Sequence, residues 1–247
     1  GYYIVRYNLP TMWIGLKSSI ETEYVDGRIF QNHTTYTYDT VYHVLKSSET
    51  LDSKGKEVKQ ETFYAFEYDP GISSIATLMG TNRHGTAISS VSYLEDDVVS
   101  SSVAAYRLEG SKPLVDYTAS LVTTSPISGF SQSTNASGQI TSFLPAYNYN
   151  TTLTINEYTN CGKPSEFIQK DGVSQVVIWD SSETMIIGKA TNSSRDEVGF
   201  HGFDQIPEKG WVLSGDRVLG TGYSGDYYAN TKLTYNSLPA GEYIVSA

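Results

Sequence analysis

The sequence predicts an all-β protein, built of serial antiparallel β-hairpins that form a repeat-type sheet or partial shell, with an incomplete β-sandwich at the C-terminus. Three observations point there. The 247 residues include 20 Tyr against 8 Phe and 3 Trp, and only 18% of them are charged; Tyr packs its ring on a half-buried sheet face and keeps its hydroxyl in water. Side chains alternate at or near period two, while the 3.6-residue period of an amphipathic helix is scarce. Short polar segments carrying Asp, Asn and Gly recur between the alternating runs.

Taken along the chain, the strand signals are Thr35-Tyr36-Thr37-Tyr38, Glu61-Thr-Phe-Tyr-Ala-Phe-Glu-Tyr68, Leu153-Thr-Ile-Asn-Glu-Tyr158 and Val173-Ser-Gln-Val-Val-Ile-Trp179. The turn signals are Asp26-Gly27, Asp52 to Gly55, Glu95-Asp96-Asp97, Asn135 to Gly138 and Asp171-Gly172. Asp-Gly supplies the positive φ of a two-residue hairpin turn, and the longer Gly-containing segments suit wider hairpins. Two hairpins follow directly: Val44 to Thr50 with Glu57 to Phe63, and Glu166 to Lys170 with Val173 to Trp179. Met185-Ile-Ile-Gly-Lys189 is a last apolar stretch, after which the sequence turns polar and then Gly-rich. This change of texture predicts a domain boundary near residues 190–196. The roughly fifty residues beyond it fall short of the roughly 100 that close a typical sandwich.

The formal net charge of −10 repels a phosphate backbone, and no Lys/Arg run reverses it locally, so nucleic acid is not an expected partner. Such acidity suits a soluble protein or a binder of neutral ligands such as glycans. The single cysteine, Cys161, excludes an intrachain disulfide framework and any zinc site built from several cysteines. No apolar stretch approaches the roughly 18 residues of a membrane helix, so no membrane insertion is expected here. The chain opens on Gly1-Tyr-Tyr-Ile-Val-Arg6 and stops inside strand-like sequence, Gly241 to Ala247. It therefore reads as an internal piece of a longer polypeptide.

The hairpin series over roughly residues 20–190 resembles a divergent Rhs/YD-repeat protein of the kind found in large secreted polypeptides of the Bacteroidota. The segments that carry the likeness are Tyr24-Val-Asp-Gly-Arg-Ile29, Tyr36-Thr-Tyr-Asp39 running to Asp52-Ser-Lys-Gly-Lys56, Asn82-Arg-His-Gly-Thr-Ala-Ile88 with Ser92-Tyr93, and Asn156-Glu-Tyr158 through Gly162-Lys-Pro164 to Lys170-Asp-Gly172 and Trp179. Tyr38-Asp39 and Tyr68-Asp69 carry the family's dipeptide alone. The resemblance implies tyrosine-aspartate turns punctuating hairpins that coil into a continuous sheet over residues 1–190. Residues 196–247 resemble the N-terminal part of a jelly-roll carbohydrate-binding-type module, on Glu197-Val-Gly-Phe-His-Gly-Phe-Asp204, Gly210-Trp211 and Leu238-Pro-Ala-Gly-Glu-Tyr-Ile-Val245. That likeness implies glycan binding and, in some members, a structural calcium.

A nucleophilic triad would need a base among His33, His43, His84 and His201, yet no Gly-x-Ser-x-Gly elbow or His-Glu-x-x-His motif accompanies them. A glycosidase would need two carboxylates about 5–10 Å apart across a cleft. The densest acidic cluster, Glu95-Asp96-Asp97, occupies a hairpin tip whose three side chains cannot all face one site. Asp196, Glu197 and Asp204 could supply oxygens to calcium, the one ion expected, and no organic cofactor is expected. Trp211, Tyr223, Tyr227 and Tyr228 are the aromatic candidates for packing on a sugar ring. The expected function is a noncatalytic structural or scaffold segment of a large secreted or cell-surface repeat protein, serving as shell, adhesin or secretion cargo. The alternatives are a glycan-binding module, calcium-stabilised through those carboxylates, and a hydrolase with an unfamiliar site. Expected partners are glycans, secretion machinery or other proteins, and the remainder of its own longer chain.

Overall fold

The computed structural model describes residues 13–198 except Gly27, Ser53 and Ser181, together with the backbone of four short strands beyond them. The chain is all-β, and its contacts divide it into two compact units, Gly1–Asn150 and Thr151–Ala247. The texture change near residues 190–196 lies inside the second.

In the first unit seven strands pair in chain order: β1 (Ser18–Val25), β2 (Arg28–Tyr38), β3 (Leu45–Leu51), β4 (Glu57–Tyr64), β5 (Ala87–Leu94), β6 (Asp97–Glu109) and β7 (Lys112–Leu121). Every ladder among them is antiparallel. The Val44–Phe63 hairpin forms as expected, with Leu51 opposite Glu57. Asp26 and Glu95 sit at φ 49° and 59° in the tight turns before β2 and β6, a conformation that Asp tolerates better than most residues. Four ladders shift register immediately before a tyrosine, at Thr37/Tyr38, Phe63/Tyr64, Ser92/Tyr93 and Ala105/Tyr106. Each irregularity adds local twist to its strand and re-aims the side chains beyond it.

The run Glu61–Tyr68 stops being a strand at Tyr64. Ala65–Glu67 forms a 3-10 turn, and Ser73–Gly80 forms a helix, α1, which the scarcity of helical periodicity concealed. Two turns are too short for a period to declare itself, yet Ile75, Leu78 and Met79 share one face at i, i+3 and i+4 spacing. Asp69 prepares the entry by accepting the Gly71 N–H at 2.7 Å. The core of this unit forms where α1 covers β6 and β7: Ala65, Tyr68, Ile75, Leu78, Ile88 and Ile140 are buried together, with Phe63, Tyr106 and Phe143 against them.

β1 and the first half of β2 project as an arm. The β2–β3 ladder runs only from Tyr38 to Thr35, whereas β1 pairs with β2 from Thr35 to Arg28. Ile20, Tyr24, Ile29 and Phe30 are more than half exposed on this two-stranded ribbon.

In the second unit, β8 (Tyr149–Tyr158), whose first two residues still belong to the first, β9 (Pro164–Gln169), β10 (Ser174–Trp179) and β11 (Ile186–Thr191) again pair in chain order. The Asp171-Gly172 hairpin closes with Gly172 at φ 80°. Gln175 to Ile178 are buried in succession rather than alternately, so β10 is covered on both faces. The Trp179 indole N–H donates to the Pro164 carbonyl at 2.9 Å. Farther on, β12 (Trp211–Ser214) pairs with β15 (Lys232–Tyr235), and β13 (Arg217–Leu219) with β14 (Tyr227–Ala229).

Candidate functional site

The expected ligand and metal residues fall mostly beyond what is described. Asp204 and Tyr223 lie outside the described residues. Trp211, Tyr227 and Tyr228 are placed only by backbone, opposite Tyr235, Leu219 and Val218. Asp196 and Glu197 occupy the 3-10 turn Arg195–Glu197. There the Glu197 carboxylate turns back to accept the Ser194 N–H at 2.8 Å, and the Arg195 N–H donates to Glu166 at 2.6 Å. Among the described residues, no three His, Cys, Asp or Glu side chains converge as a metal centre requires.

Three of the four histidines are spread over the first unit, and His201 lies outside the described residues. His33 lies on the exposed arm, His43 stacks on Trp13 with centroids 4.7 Å apart, and His84 stacks on Tyr42 at 4.8 Å. The Glu95–Asp97 tip behaves as a charged turn: Glu95 pairs with Lys56 at 3.0 Å, and Asp97 accepts the Ser128 hydroxyl at 2.5 Å.

Several aspartates hold turns. Asp39 accepts the N–H groups of Val41 and Tyr42, at 2.9 and 2.6 Å, and Asp52 those of Lys54 and Lys56, at 2.8 and 2.9 Å. These bonds favour the charged form and hold both carboxyls below the ordinary aspartate value; the largest contributions come from the N–H groups of Tyr42 and Lys56 respectively. Asp69, Asp171 and Asp180 bind main-chain N–H groups in the same manner. Both tyrosine-aspartate dipeptides therefore use the aspartate as a turn clasp, a bond pattern that stabilises chain reversal.

One concave site stands out in the first unit. The segment 122–148 has no regular strand or helix, yet it is clasped to the sheet at both ends of its path. Ile127 and Val98 exchange both main-chain bonds at 2.9 Å; Ile140 donates to the Glu67 carbonyl and accepts from Asp69 at 2.9 and 2.8 Å. Ile140 is buried in the core, and the Asn135 amide donates to the Asp69 carboxylate at 3.2 Å. Between this loop and the sheet lies a cleft of about 430 Å³, lined by Phe63, Phe66, Tyr93 and Phe130 and by Glu67, Ser131, Gln132, Thr134 and Gln139.

The lining is held in place from behind. Phe130 stacks on Tyr147 at 4.6 Å, and the Tyr147 hydroxyl accepts the Ser131 N–H at 3.0 Å. Phe66 is flanked by Tyr42 and Tyr64, at 4.5 and 5.8 Å. The Tyr93 hydroxyl donates to Glu61 at 3.1 Å; its burial, and secondarily the charge of Glu61, push its pKa well above the ordinary tyrosine value. Glu67 pairs with Lys46 at 2.6 Å through one oxygen and accepts the Tyr64 N–H at 2.9 Å through the other. The loop's partners lie tens of residues away in sequence, so no local pattern announces the cleft. Its one sequence signal is the length of a Ser-, Gly- and Asn-rich segment between two strands.

The chain matches no protein-family model and has no significant match among curated proteins.

Proposed function

We propose that this chain is a noncatalytic structural segment of a large secreted or cell-surface protein assembled from successive β-hairpins. The observation that carries the reading is the use made of its carboxylates. Asp39, Asp52, Asp69, Asp171 and Asp180 clasp turns, and Glu49, Glu61 and Glu67 pair with lysines. Catalytic carboxylates face a shared substrate position and have perturbed pKa values matched to proton transfer. Asp39, Asp52, Asp171 and Asp180 instead stabilise chain reversals between strands that pair with their neighbours in sequence, as a hairpin scaffold requires, while Asp69 holds the entry to α1 and the glutamates are taken up in ion pairs. The resemblance to Rhs/YD repeats points the same way.

Two measurements test this. Protease shaving of intact producing cells, followed by detection with an antibody to the chain, should find it at the surface or in the medium. A screen of the purified chain against ester, glycoside, phosphoester and peptide substrates should give no saturable turnover. Retention inside the cell, or turnover abolished by a single substitution in the chain, would overturn the proposal.

A further inference from the structure

We propose that the cleft beneath the 122–148 loop is a binding site for a neutral saccharide. The inference goes beyond a scaffold role and does not depend on it.

The loop is the first reason. An ordered segment of this length without secondary structure is uncommon unless it serves a function, since its chain entropy must be offset by specific contacts. Here the contacts exist: two main-chain clasps, at Ile127 and Ile140, and the Asn135–Asp69 bond. They hold the loop over the sheet while leaving about 430 Å³ between them, within the roughly 300–1,000 Å³ of small-molecule sites.

The lining selects the ligand class. Phe130 offers ring surface for the C–H face of a sugar, Tyr93 adds apolar lining with the Lys59 ammonium 5.9 Å over its ring, and Ser131, Gln132, Thr134 and Gln139 offer hydroxyl and amide groups for its hydroxyls. Glu67 is the single charged residue of the lining, and Lys46 neutralises it. An anionic ligand would find no cation in this lining, in a chain of formal charge −10. A wholly apolar ligand would strip water from the amides and hydroxyls without replacing their hydrogen bonds. A neutral ring with one apolar face and several hydroxyls satisfies both halves of the lining.

The site is also organised in advance. Tyr147 braces Phe130 from behind, and the Asn135 amide N–H donates to the Gln139 side-chain oxygen at 3.2 Å. Binding would therefore order few additional rotamers, which lowers its entropic cost.

The test uses the whole chain and an immobilised panel of neutral gluco-, galacto-, manno- and xylo-configured oligosaccharides, with sulfated and uronic counterparts and neutral peptides alongside. Hits are measured by titration calorimetry. Saturable binding of a neutral oligosaccharide is expected, weakened about tenfold or more by Phe130→Ala and by Gln132→Ala, the loss of roughly one good contact each. Gln132→Ala removes no core group, so its thermal unfolding should match the parent chain and keep the test valid if Phe130→Ala destabilises the loop. The proposal is overturned if no neutral oligosaccharide binds saturably, if Gln132→Ala leaves binding unchanged, or if the anionic or peptide probes bind more tightly.

Discussion

The buried hydroxyl pair Tyr68–Ser89 allows a quantitative test of how the first unit is held. Tyr68 is 1% exposed and Ser89 6%, and the Tyr68 hydroxyl donates to Ser89 Oγ at 2.9 Å. Burial pushes the Tyr68 pKa far above the ordinary range, so it is the neutral hydroxyl that makes this bond. Tyr68→Phe removes the donor and leaves a serine hydroxyl that can rotate toward another acceptor, so the cost should be about 1 kcal/mol. Ser89→Ala strands the tyrosine hydroxyl in a site with almost no access to water, and should cost about 1–3 kcal/mol. Removing both partners leaves no orphan, so the double variant should be more stable than the sum of the singles by about 1 kcal/mol. Because the chain has two units, a single unfolding free energy is not a safe measure. Native-state hydrogen exchange at the Ala65 and Tyr68 amides, bonded to Thr86 and Ala65, reports this core directly. Each 1.4 kcal/mol appears as about a tenfold rise in exchange. Ser89→Ala exchanging no faster than the parent, or strict additivity of the two substitutions, would refute the reasoning.

Leu78 is fully buried in α1, so Leu78→Ala should cost about 2–5 kcal/mol, read as faster exchange at the same amides; a neutral result would mean that α1 does not seal the core. Gly172 sits at φ 80° with open space around it. Gly172→Ala should therefore destabilise the β9–β10 hairpin through backbone strain alone, by about 1–2 kcal/mol, visible as faster exchange at the Gln169 amide. The Asp180 carboxylate accepts N–H bonds from Met185 and Thr184 and the Ser182 hydroxyl, which together lower its pKa from the ordinary 3.8 to about 2. A folded-state pKa below the unfolded value means that its contribution is present above about pH 4 and is lost as pH falls through 2. NMR titration of Asp180 should find that midpoint, with Thr184 and Met185 amide protection falling alongside; an ordinary midpoint would show that the turn bonds do not form in solution.

The hairpins were legible in the sequence because their physics is local. Alternation at period two sets which side chains share a face, and Asp-Gly or a Gly-containing loop sets where the chain reverses. Hence β3–β4, β9–β10 and the Glu95 turn could be read without coordinates, as could the acidic tip that serves as a turn. α1 could not, since two helical turns between Asp69 and Asn82 offer one face and no repeat. The end of β4 at Tyr64 was hidden for the opposite reason: Glu61 to Tyr68 alternates throughout, and the chain leaves the sheet there because Ala65 and Tyr68 are drawn into the core under α1.

The candidate site belongs to tertiary structure altogether. Glu67 meets Ile140, Asp69 meets Asn135, and Val98 meets Ile127 across separations that no periodicity spans. Phe66, Tyr93 and Phe130 are three unremarkable aromatics in a tyrosine-rich chain until the 122–148 loop folds over the sheet. What the sequence by itself determined was the β architecture and the placement of its turns, which depend on residues a few positions apart. What only the tertiary structure decided was the cleft, because a concave space of this kind exists only where distant segments are held near each other without filling the gap between them.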